Sequence, residues 1–181
     1  MNARFLSGPL GFIRMKKYTK LFVGLIAIAL IGFAFYYLAW SFGPGSYARA
    51  ELYQFNIPED SLIKIINSVK TENINLTLTK KVNVPNGGQF ALEDGRKDNS
   101  DHWYSIYFYY PDKNQILHTW TRPKNKNTTT FAYVGLNNGL TLGNWKTIND
   151  SFWWWKNKPE VEEFEERILK KIRNKTKPNN G

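Results

Sequence analysis

Residues 21–40, LFVGLIAIALIGFAFYYLAW, form an apolar run unbroken by charge, amide or proline. As a helix this run is about 30 Å long, the thickness of a bilayer's hydrocarbon core. A helix apolar on every side has no place on the surface of a small water-soluble fold. Gly24 and Gly32 are tolerated where lipid offers the backbone no other partner. Tyr18 precedes the run, and Tyr36, Tyr37 and Trp40 close it, as an interfacial aromatic belt does. The pattern predicts a transmembrane helix over 21–40. A cleaved signal peptide competes with it, since Met15-Lys16-Lys17 resembles a short basic start and Ala48-Arg49-Ala50 a small-x-small cleavage site. The run exceeds the roughly 7–15 residues of a signal core and the Ala-x-Ala lies well beyond it, which favours a signal anchor.

Residues 41–49, with Gly43-Pro44-Gly45-Ser46, read as a juxtamembrane linker, and the periodicity then changes. Leu62, Ile65, Ile66 and Val69 follow helical spacing, with Pro58 at the first position and Glu59 and Asp60 in the first turn, so a helix is expected over 58–71. Ile74, Leu76, Leu78, Val82 and Val84 alternate with polar residues, which predicts a strand, bulged or split at Lys80. Asn86-Gly87-Gly88 and Glu93-Asp94-Gly95 mark turns around a short run, 89–92.

The strongest local signal is a hairpin. Residues 103–110 (WYSIYFYY) and 115–122 (QILHTWTR) are rich in aromatic and β-branched side chains, joined by Pro111-Asp112-Lys113-Asn114. Pairing Tyr110 with Gln115 sets Tyr107 opposite His118 and Ile106 opposite Thr119. A third strand is expected over 128–136, ended by Asn137-Asn138-Gly139. A final helix over 159–173 carries Val161, Phe164, Ile168 and Ile172 as its apolar stripe, with glutamates early and bases late, in accord with the helix dipole. The fold class is therefore α+β: one N-terminal transmembrane helix, then a domain over 50–174 with an antiparallel sheet of about four strands and two flanking amphipathic helices. Residues 175–181 form a polar, basic tail.

Charge sharpens this picture. The 181 residues carry a net charge of +10, with no cysteine and two histidines. Half of that excess lies in residues 1–20, whose five bases face no acid, so the positive-inside rule keeps this tail cytoplasmic and exports the domain. Six further bases lie between Arg167 and Lys177, leaving residues 49–166 with 14 bases against 15 acids. A nearly neutral exported domain without an RNA-binding motif argues against nucleic acid as a partner. The basic helix end suits solvent, anionic lipid or an acidic partner. Lack of cysteine excludes disulfides, thiolate metal sites and cysteine nucleophiles. Together with Asn, Lys and Ile enrichment, it suggests a bacterial envelope protein in the inner (plasma) membrane. Its domain then faces the periplasm or the exterior; the sequons at Asn75, Asn127, Asn149 and Asn174 would be glycan acceptors in a eukaryotic secretory protein, but in an Asn- and Lys-rich chain several arise by chance.

Candidate chemistry is sparse. None of the common nucleotide-binding, hydrolase or metalloprotease motifs is present, so no catalytic residue and no cofactor is expected. His118 reads as a sheet-face residue bonded to a neighbour. Glu93, Asp94, Asp98, Asp101 and His102 are weak candidates for a cation site, since Arg96 and Lys97 interrupt them. The aromatics say more. Both faces of the first hairpin strand are aromatic, so the face away from the helices is either covered by a loop or offered to a partner. Trp153-Trp154-Trp155 cannot all point inward, and at least one is expected on the surface, against protein, glycan or lipid. The residues expected to form a binding surface are Trp103, Tyr107, Tyr109, His118, Trp120, Trp153, Trp154 and Trp155. The function expected is an anchored, non-enzymatic module that binds another envelope protein. An immunity or inhibitor protein against a toxin is the alternative, and a cation-dependent or enzymatic module comes third.

Overall fold

A computed structural model describes residues 10–41, 47, 49–78, 81–98 and 101–177. The chain divides into two compact units, 1–44 and 45–181. The first contains helix α1 (Leu10–Ser41), whose stretch Tyr18–Ser41 is long and apolar enough to cross a membrane.

The second unit is mixed α+β, built on an antiparallel sheet of five strands: β1 (Glu51–Phe55), β4 (Tyr104–Tyr110), β5 (Gln115–Asn125), β6 (Thr128–Asn138) and β7 (Trp145–Thr147). Strands run in the order β1-β6-β5-β4, and β7 shares the outer edge of β6 with β1. A separate two-stranded ribbon pairs β2 (Val82–Asn83) with β3 (Gln89–Phe90). The hairpin register is the expected one, with Tyr110 opposite Gln115, Tyr107 opposite His118 and Ile106 opposite Thr119. Its turn closes through Asn114 in the left-handed region, φ 50°, which asparagine tolerates better than most residues.

Helix α2 (Glu59–Glu72) and the rod formed by α3 (Lys158–Phe164), a π-turn (Glu165–Leu169) and α4 (Lys170–Thr176) cover one sheet face. Leu62, Ile66 and Val69 of α2 and Phe164, Ile168, Leu169 and Ile172 of the rod pack on the inward residues of the sheet, including Ile106, Phe108, Leu117 and Phe131. The ring of Phe164 stacks on Tyr133 with centroids 4.3 Å apart. The stripe expected on this helix omits Leu169, which the wider π-turn region places in the core beside Ile168.

One expectation is corrected. Among the described residues of 74–84 only Val82–Asn83 of β2 is strand: Ile74–Leu76 is a 3-10 turn held by the end of α2, where Leu76 N–H donates to the Asn73 carbonyl at 2.8 Å. Ile74 is 63% exposed, and pairing beside that turn is limited to a bridge from Thr77 to Phe108. The bulge expected at Lys80 lies outside the described residues. The α+β class stands as expected, and with β1 and β7 the antiparallel sheet has five strands.

At Gly135 β6 bulges, moving from pairing with His118 to leave Val134 unpaired before Tyr133 meets Thr119. A Cβ on Gly135 would sit 2.5 Å from the Lys146 carbonyl oxygen, so glycine is what lets β7 dock. Gly135→Ala is expected to cost about 1–3 kcal/mol by overpacking. Phe164→Ala is expected to cost about 3–5 kcal/mol by leaving a cavity under the sheet. Denaturant unfolding of the full chain in detergent, followed by near-UV circular dichroism, checks both.

Candidate functional site

The second sheet face is built from the other side chains of the same strands. Toward one end, Tyr109 and Ile116 are covered by Val82, Leu78, Leu92, Leu140 and Leu142. Asn137 shapes that cover: its buried side chain donates to the carbonyls of Gly139 (2.9 Å) and Thr141 (3.0 Å) and accepts from Asn144 N–H (2.9 Å). Of the two alternatives for this face, a covering segment occupies this end.

The rest of the face is an aromatic plate. His118 stacks on Tyr107 at 5.1 Å and meets the edge of Trp145 at 5.9 Å. Tyr47 reaches in from the linker, 5.3 Å from Trp103 and 5.7 Å from Trp120, and those two indoles lie 6.1 Å apart. Trp120 is buried; Tyr47, Trp103, Tyr107 and His118 are half-buried; Trp145 is 41% exposed at the rim. The exposed Arg122 guanidinium lies 6.0 Å above Trp103.

Four of the sequence-predicted residues, Trp103, Tyr107, His118 and Trp120, therefore come together. Tyr109 instead belongs to the buried cluster under Leu140 and Leu142, against which Tyr107 also packs. Two members went unrecognised in the sequence. Tyr47 lies in a segment whose only evident signal is Gly-Pro-Gly punctuation, and Trp145 belongs to a strand of three residues, too short to show alternation.

Trp153, Trp154 and Trp155 make a distinct surface and are 43%, 59% and 51% exposed. Trp153 stacks on Trp155 at 4.9 Å and meets Phe152 edge-on at 4.9 Å. Buried Asn157 pinches the loop shut, accepting from Ser151 N–H and donating to the Ser151 carbonyl, both at 3.0 Å.

The acidic loop is used internally. Asp94 pairs with Lys70 and accepts from Tyr107 N–H at 2.9 Å, and Asp101 accepts from Trp103 N–H at 3.2 Å. Arg96 pairs with the buried Glu59, which also accepts from Thr121 at 2.9 Å. Glu93, Asp98 and His102 are exposed. Among the described residues, no group of three or more His, Asp or Glu side chains is placed to hold a metal ion.

The nearest approach to a nucleophile and base is Ser105 Oγ, 3.3 Å from His118 Nε2. Burial among the rings lowers the His118 pKa to about 4, so the imidazole is neutral at pH 7. A base that weak gives little driving force for taking a hydroxyl proton. The chain matches no protein-family model, and neither the curated proteins nor the solved structures yield a significant match.

The depressed His118 pKa makes stability depend on pH. An unfolded chain protonates this histidine below about pH 6.5, whereas the folded one resists until about pH 4. Stability contributed by the neutral imidazole is present above the upper value and is lost as pH falls through that window, by up to about 3 kcal/mol. His118→Phe is expected to remove this component, seen as a smaller fall in melting temperature between pH 7 and pH 4.5 than in the wild type.

Proposed function

We propose that this protein is a single-pass, membrane-anchored binding module of the cell envelope. Its N-terminus is cytoplasmic, in the inner (plasma) membrane, and its α+β domain faces the periplasm or the exterior. The module recognises another envelope protein by contact rather than transforming a substrate. The observation carrying this reading is the aromatic plate around His118, which opens to solvent at Trp145 with Arg122 exposed beyond Trp103. Tryptophan, tyrosine and arginine are enriched at the centres of protein interfaces. Tyr107, His118, Trp120 and Trp145 of the plate stand on strands, so those rings are already ordered before a partner arrives.

Orientation is checked by thiol labelling, which the cysteine-free chain makes clean. Cysteine introduced in the exposed β5–β6 turn, Asn125→Cys, is expected to react with a membrane-impermeant maleimide on intact spheroplasts. Cysteine at the basic end, Ser7→Cys, is expected to react only after lysis. The reverse pattern refutes the topology.

The partner surface is checked by photocrosslinking in living cells. A benzophenone amino acid at position 145 is expected to give a discrete adduct with another protein, and the same probe at exposed Lys170 none. Absence of adducts at 145, or the same adducts at both positions, would sink the assignment.

A further inference from the structure

We infer that Trp153, Trp154 and Trp155 form a lipid-facing wedge that seats the domain on the headgroup region of its own membrane. The inference rests on residues 21–40 being a membrane anchor. Three observations carry it.

The first is exposure without freedom. The tryptophans occupy the tip of a closed loop, where Lys156 N–H donates to the Trp153 carbonyl at 2.9 Å and Asn157 N–H to the Trp154 carbonyl at 3.1 Å. With Asn157 closing the base on Ser151, the loop holds three indoles outward that burial would otherwise favour. Exposed apolar patches held this way mark a contact surface.

The second is the path of the chain. Asn149 N–H donates to the Arg49 carbonyl at 3.3 Å, the Asn149 amide donates to Glu51 at 3.0 Å, and the Arg49 guanidinium pairs with Asp150. The wedge therefore begins within a few residues of the point where the chain enters the domain. Only residues 42–48 separate that point from the end of α1 at Ser41. Seven residues reach at most about 25 Å even when fully extended. A wedge so tethered stays within reach of the bilayer surface whatever path the linker takes.

The third is chemistry. Indoles favour the membrane interface, where the ring meets acyl chains and the N–H meets the headgroups. Lys156 and Lys158 follow directly and are exposed. Lys158 holds its ammonium 5.5 Å from the Trp154 ring and lies 3.8 Å from Glu162, while Lys156 makes no ion pair among the described residues. Cations beside an indole cluster suit anionic headgroups. A protein partner on the same tip has no such link to the anchor.

The test uses the full chain reconstituted into phosphatidylcholine–phosphatidylglycerol vesicles. Single cysteines at Trp154→Cys and Lys156→Cys, and at the control sites Asn125→Cys and Lys170→Cys, carry nitroxide labels. Variants are accepted when their circular dichroism and melting temperature match the wild type, and Lys156→Cys stands in where Trp154→Cys is not tolerated. Labels at 154 and 156 are expected to be relaxed more by oxygen than by an aqueous nickel chelate, and the control labels the reverse. Replacing all three tryptophans with serine is expected to return the label at 156 to the aqueous pattern, with vesicle flotation unchanged. A chain that floats while label 154 remains aqueous overturns the wedge and leaves the anchor standing. Label 154 shielded from both relaxers indicates a protein cover and likewise overturns it. A chain that fails to float overturns the anchor and the wedge together.

Discussion

Tyr107 stacks on His118 above the β4–β5 ladder while Phe108, the next residue, lies buried beneath it under the helices. Successive strand residues point to opposite faces, so a strand reading WYSIYFYY cannot satisfy both faces with a single cover. That demand organises the domain. One face takes α2 and the α3–α4 rod, each with a complete apolar stripe. The other takes what remains of the chain: the β2–β3 ribbon, the 139–144 loop and Tyr47. These are short, irregular pieces, and they cover the face unevenly. One end is sealed by leucines and the other is left as rings around His118 with Trp145 at the rim.

Irregular covers need polar fasteners, because their backbone groups lack a ladder to bond to. Asn137 serves the 139–144 loop, Asn157 the tryptophan loop, and Asp94 ties its own irregular segment to β4. Glu59 is the costliest of these fasteners, being a carboxylate only 7% exposed. Arg96 and Thr121 compensate its lost hydration, so the pair fixes the position of the acidic loop more than it adds net stability. Of the residues that resembled a cation site in the sequence, Asp94 thus acts as a cross-link between α2 and β4. Acidic side chains already bonded to lysine, arginine and backbone N–H groups retain few lone pairs for an ion.

The same contrast explains what was legible in the sequence. The long apolar helix covering 21–40, the two amphipathic helices and the register of the β4–β5 hairpin depend on local periodicity and turn chemistry, and they stand as expected. The segment 74–84 alternates convincingly, yet α2 ends in a tight turn that spends Ile74 on solvent, and among its described residues pairing is confined to β2 and the Thr77 bridge. Strand β1 carries a faint signal in Tyr53 and Phe55, but its pairing with β6 joins residues about 80 positions apart, which no short window displays. Tyr109 and Trp120 share the composition of Tyr107 and His118 and differ only in what covers them. That cover comes from Leu78, Val82, Leu92, Leu140 and Leu142 in one case and from Tyr47 in the other. Exposure at the site was therefore a tertiary property, whereas the exposure of Trp153–Trp155 followed from three adjacent bulky rings.

Charge and anchoring together bear on how such a module could find a partner. Between its basic ends the domain is close to neutral, so it has little long-range field with which to steer an encounter. A domain anchored as proposed would not need that advantage, since confinement to a membrane shared with a partner would raise the effective concentration and let a modest contact be well occupied. Seating the domain on the headgroups would further reduce the orientations it samples, converting a weak, neutral, aromatic surface into one presented at a fixed height above the bilayer.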